Sequence, residues 1–125
     1  MNLINHTSIE IAGLRSLLYE YAAKANISTN HWVVEIKKAR EHIHGVCYLF
    51  EWRIILWLHP DTKPQDIAYI WVHELQHTTP NNRRLFINGH GVRAQKDAYR
   101  KAERVVGIAR SDVQWRVHEM EGEKR

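Results

Sequence analysis

Apolar residues recur at helical intervals from Ile11 through Leu14, Leu17 and Leu18 to Tyr21, which predicts an amphipathic helix over TSIEIAGLRSLLYEYAAKAN. Thr7 and Glu10 stand in capping-box spacing at its start. Beyond the break at ISTN, HWVVEIKK is rich in β-branched and aromatic residues, AREHIHG offers a turn, and VCYLFEWRIILWL is a long apolar run with polar residues in its middle. The pattern predicts three strands in a small antiparallel sheet, the last two joined as a tight hairpin around Glu51 to Arg53. HPDTKPQDIAYIWVHELQHT then carries the marks of a helix start, with Thr62 as cap, Pro64 in the first turn and Gln65 three residues after the cap. Ile67, Ile70 and Trp71 make this helix largely buried. TPNNRRLFINGHG reads as a loop, a third helix runs from Val92 to about Ile108, and SDVQWRVHEM adds a short fourth with Ser111 or Asp112 as its cap.

These elements amount to one α+β domain over residues 1–125, ending in a charged tail at about 121–125. A chain of 125 residues supplies one hydrophobic core and little room for a second. The formal charge of +4 makes it moderately basic. No apolar run is long enough to span a membrane, and MNLINHTSIEIAGLRS lacks the apolar core of a secretory signal, so a cytoplasmic location is expected. Cys47 is the single cysteine and reads as a buried thiol.

Chemistry concentrates in HELQH, residues 73–77. His73 and His77 lie one helical turn apart on one face, so both imidazoles reach a single metal ion. Glu74 is turned away from that stripe by about a third of a turn, where a carboxylate holds an attacking water without ligating the metal. The pattern predicts zinc as cofactor, Glu74 as general base and peptide-bond hydrolysis as the reaction. Catalytic zinc usually takes a third protein ligand. The metzincin continuation fails, because Pro80 and Arg83 stand at its glycine and histidine positions. His90, between two glycines in NGHGVR, is the preferred third ligand on the argument that the glycines let the loop approach the metal closely, with Glu103 as the alternative.

HELQH followed after a loop by GHG and a helix, and preceded by a helix and a strand region, resembles the SprT-like family of zinc metallopeptidases, which includes Spartan-type DNA–protein crosslink proteases. The resemblance covers roughly residues 8 to 108 and implies a zincin-like fold, His73, His77 and His90 as ligands, and Glu74 as the catalytic residue. Members often carry an aromatic residue in an HGxxF pattern; here HGVRAQ has Ala94 and Gln95. The chain reads as a minimal catalytic core acting on a protein or peptide substrate, with DNA-associated proteins among the candidates. An edge strand near the site, RIILWL, would pair with extended substrate.

Arg93, Lys96, Arg100 and Arg104 form one stripe of the third predicted helix, opposite Ala98, Ala102, Val105 and Val106, and are candidate nucleic-acid contacts. The same pattern also describes an ordinary solvated helix face. His42 and His44 read as a polar turn, Trp52 as an exposed turn residue, and Tyr99, Arg93, His118 and Glu119 as candidates to stabilise an oxyanion or close the site. The rival reading is a non-catalytic, zinc-stabilised nucleic-acid-binding or protein-interaction domain, in which Asp97 or Glu119 supplies a closing fourth ligand.

Overall fold

In a computed structural model, which describes residues 1–116, the β-branched run Val33–Lys38 (β2) is a central strand flanked on both sides. Asn2–Asn5 (β1) and Arg53–Leu58 (β4) run parallel to it, and His44–Tyr48 (β3) lies antiparallel to β4 at the edge, giving the order β1-β2-β4-β3. The protein is therefore α+β with a mixed sheet of four strands, where three antiparallel strands were expected. Two facts account for the difference. β1 is short and has only two apolar residues, too few to show a period, yet it is tied to β2 by Asn2 N to Trp32 O and His6 N to Ile36 O, both 2.9 Å. The helix Ile11–Lys24 (α1) supplies the long crossover that a parallel β1–β2 pair requires. The β3–β4 hairpin forms, but its turn runs through Leu49–Glu51 and an exposed Trp52 at φ 54° rather than around Glu51 to Arg53, since Arg53 already pairs with Tyr48. β4 is nevertheless an inner strand; the sheet's two edges are β1 and β3, and β3 is the edge on the side of β4.

Three helices follow: Pro64–Gln76 (α2), Pro80–Ile87 (α3) and Gly91–Val106 (α4). α1 begins on Glu10 itself, whose carboxylate accepts from Ala12 N at 2.9 Å and Gly13 N at 2.6 Å; Thr7 instead bonds Ile9 N and Asn5. Thr62 does not cap α2 either. Its hydroxyl accepts from His59 N at 2.8 Å and closes the turn after β4, while Lys63 occupies the cap position. The segment expected as a loop contains α3, because Pro80 at a first helical position starts a helix rather than breaking one. A three-residue turn at Arg110–Asp112 is what stands of the short last helix among the described residues.

α2 is the centre of the molecule, buried from Asp66 to Gln76. Ile67, Ile70, Trp71, Val72 and Leu75 pack with Leu14 and Leu18 of α1 and with Val34, Ile36, Ile54, Leu56 and Leu58 of the sheet. Trp71 donates its indole N–H to Leu18 O at 2.8 Å, pinning α1 to α2. Ala94, Ala98 and Ala102, all fully buried, form a small-residue stripe on α4 where it lies against α2. Methyl-sized side chains let the two backbones approach, which brings the side chains flanking that stripe onto the last turn of α2.

Candidate metal centre

His73 and Glu74 lie in the last turn of α2 and His77 at its cap, and each is less than a tenth exposed. Their donor atoms lie within 4.8 Å of one another, a group able to hold a metal ion. The two Nε2 atoms are 3.4 Å apart, and Gln95 Oε1, from α4, is 2.9 Å from His73 Nε2 and 3.2 Å from His77 Nε2. For ligands at 2.0 to 2.1 Å, a tetrahedral ion needs neighbouring donors about 3.3 to 3.4 Å apart. The imidazole pair meets that edge length, and the contacts to Gln95 fall slightly short of it.

The tautomer of His77 follows from its partner. Asn82, fully buried in α3, donates its amide hydrogens to Ala94 O at 2.8 Å and Asp97 Oδ2 at 3.0 Å, which leaves Asn82 Oδ1 facing His77 Nδ1 at 2.7 Å. Nδ1 therefore carries the proton and Nε2 presents a lone pair to the centre. Around that lone pair stand two further electron-rich atoms, His73 Nε2 and Gln95 Oε1, with at most one proton to share. A cation satisfies all three together, so the residues fit a metal.

Burial sets the ionisation of the other two groups. His73 is pushed down to about 3, by loss of water and then by His77. It is neutral at any physiological pH, as a ligand must be, and its 3.8 Å approach to Glu74 Oε2 is not an ion pair. Its ring packs on Tyr99 with centroids 4.0 Å apart, and the Arg110 guanidinium lies over the Tyr99 ring at 3.8 Å. Glu74 is pushed up to about 8 by burial alone. A nearby divalent cation would draw that carboxyl back toward its ionised form.

A cleft of about 660 Å³ opens over this group, bounded by β3 from His44 to Cys47, by α2, and by Phe86, Val92 and Gln95. Gly45 meets Glu74 directly. A Cβ there would lie 2.7 Å from Glu74 Cγ and 3.1 Å from Oε2, so only glycine lets the edge strand pass so close to the carboxylate. Cys47, half-buried on the same strand, is pushed up to about 12 by burial and by Glu74, which leaves it a protonated thiol.

Other predicted residues fall elsewhere. His90 is exposed at the cap of α4 and lies outside the His73, Glu74, His77 group. The glycines around it do not serve a close approach. Gly89, at φ +82°, ends α3 in a Schellman arrangement, with its own N–H on Phe86 O at 3.1 Å and that of His90 on Leu85 O at 2.8 Å, and a Cβ on Gly91 would touch nothing. Glu103 is part of α4 nearer its C-terminal end, outside the group. Asp97 is engaged by Asn82, Arg100 and Lys101. Arg93, Lys96, Arg100 and Arg104 are exposed. His44 stacks on Trp57 at 4.5 Å and its Nδ1 bonds His42 O, and neither histidine joins a metal-binding group among the described residues. His118 and Glu119 lie outside the described residues. Among the described residues no helix is long and apolar enough to cross a membrane.

Gln95, Asn82 and Gly45 were missed in the sequence. Gln95 and Tyr99 are four apart beside the alanine stripe, a signal that they share a face toward α2. Asn82 was hidden by the expectation of a loop. No family model, curated protein or solved structure matches the chain.

Proposed function

We propose that this chain is a zinc-dependent peptidase of zincin-like, SprT-like type. The observation that carries the reading is the meeting of two imidazole nitrogens 3.4 Å apart with a buried carboxylate beside them, at the floor of an open cleft. Zinc held by His73 and His77 would supply Lewis-acid activation of water and of the scissile carbonyl. The chain's own residues do the rest. Extended substrate lies along the β3 edge, where backbone pairing recognises shape more than sequence. Gly45 lets that strand run against Glu74, so the scissile peptide is presented beside the carboxylate. Glu74 Oε2 takes a proton from the attacking water and returns it to the leaving amine nitrogen. Phe86 and Val92, both exposed at the rim, offer an apolar wall to a substrate side chain.

The test is hydrolysis of an unfolded protein by zinc-loaded wild type and Glu74→Gln. The variant is expected to keep its zinc and to lose at least about a hundredfold in rate, as removal of a general base does. Equal rates in the two would reject the mechanism. The rival, a closed structural zinc site, needs a fourth ligand, and the engagement of Asp97 in three other contacts argues against that supplier.

DNA-associated proteins are the proposed substrate class, supported by the exposed stripe Arg93, Lys96, Arg100 and Arg104. Such contacts to phosphate weaken steeply with salt. Unchanged DNA binding in an Arg93→Glu, Arg100→Glu chain would remove this part of the proposal.

A further inference from the structure

We infer that the third protein ligand is the side-chain oxygen of Gln95; this rests on the metal reading above. Three observations converge. Gln95 Oε1 is within 3.2 Å of both imidazole Nε2 atoms, the only side chain besides the two histidines that reaches both in the hydrogen-bond network of the described residues. Its backbone is fixed, because Ala94 beside it is fully buried and accepts from Asn82, which also orients His77. His90 is turned to solvent; Gly89 is accounted for by the end of α3, and Gly91 begins α4 with nothing close to it.

A glutamine differs from a third histidine in its chemistry. The carboxamide oxygen is a neutral, harder and weaker donor than imidazole, so the ion keeps more of its charge. Zinc binds less tightly than to three imidazoles, and the substrate carbonyl is polarised more strongly. Because Gln95 is more than a third exposed, this ligand also stands at the mouth of the cleft, where its amide N–H groups are available to substrate.

The experiment measures zinc affinity by chelator competition, and the visible spectrum of the cobalt-substituted protein, on the full chain and on Gln95→Leu, Gln95→Glu, His90→Ala and His73→Ala. Gln95 is exposed, so its substitutions leave the fold in place, which circular dichroism checks. Gln95→Leu is expected to weaken zinc at least about tenfold, Gln95→Glu to bind at least as tightly as wild type with a shifted cobalt spectrum, and His90→Ala to match wild type. Wild-type affinity and spectrum in Gln95→Leu, with loss in His90→Ala, would overturn the assignment and leave the metal site standing. A wild-type chain that binds no zinc, indistinguishable from His73→Ala, would instead overturn the metal reading and this inference with it.

Discussion

The last turn of α2 and the turn into α4 both present histidine beside residues that suggest a metal, yet only the first is built as a site. His73 and His77 are buried and held at 3.4 Å on a helix packed against α1, α4, β3 and β4, and Asn82 aims the Nε2 lone pair of His77. His90 is exposed on a Schellman turn in which Gly89 closes the end of α3. A ligand set needs rigid backbone and a second layer of partners, and motif spacing alone supplies neither.

The contrast can be pressed with substitutions, starting with the largest effect. Gly45→Ala drives a methyl into Glu74, and an ångström-scale displacement of a reacting group costs on the order of a hundredfold in rate. Hydrolysis by zinc-loaded protein is expected to fall by that factor, with overpacking lowering stability by about 1 to 3 kcal/mol in denaturant unfolding. A fully active Gly45→Ala chain would mean that β3 does not set the carboxylate. Asn82→Ala strips the acceptor from His77 Nδ1, and zinc affinity is expected to drop about 10- to 100-fold. Chelator competition measures it; an unchanged constant would show that the ring is held by packing alone.

Proton linkage in metal-free protein gives the next effect. Glu74 in the folded chain, at about 8, lies above its ordinary 4.5, so the native state keeps a proton that the unfolded chain has lost, and stability falls as pH rises between those values. His73, at about 3 against an ordinary 6.5, works in the opposite sense: stability rises from pH 3 to 6.5. The slopes oppose between 4.5 and 6.5, leaving Glu74 alone from there to about 8. Over that upper window wild type is expected to lose about 2 kcal/mol that Glu74→Gln retains. Unfolding at pH 6.5 and 8.5 in chelator reads the difference, and parallel losses in the two chains would contradict it. The smallest effect belongs to His90→Ala, expected to change stability by less than about 0.5 kcal/mol, as exposed substitutions do. A larger loss in thermal unfolding would give the α4 turn a role absent from this account.

What was legible in the sequence followed from strong periodicity. The first helix, the hairpin and the buried helix bearing HELQH are long, and their apolar positions leave one reading. β1 failed because four residues with two apolar side chains carry no period, and the parallel pairing failed with it. α3 failed because Pro80 and two asparagines look like breakers until their positions relative to a helix start are known. Within the site, His73, Glu74 and His77 are local in sequence and could be read together. Gln95, Asn82 and Gly45 come from three other elements, and each acquires meaning only when α4, α3 and β3 close on the end of α2.

The account turns on whether a metal sits between these side chains. Crystals of the untagged 125-residue chain grown with zinc, measured for anomalous scattering on both sides of the zinc edge, locate the ion without reference to activity. The account predicts one strong peak about 2.0 to 2.1 Å from Nε2 of both His73 and His77, with Gln95 Oε1 in contact. Zinc found only at surface histidines, with the His73–His77 pair bridged by hydrogen bonds alone, would contradict it.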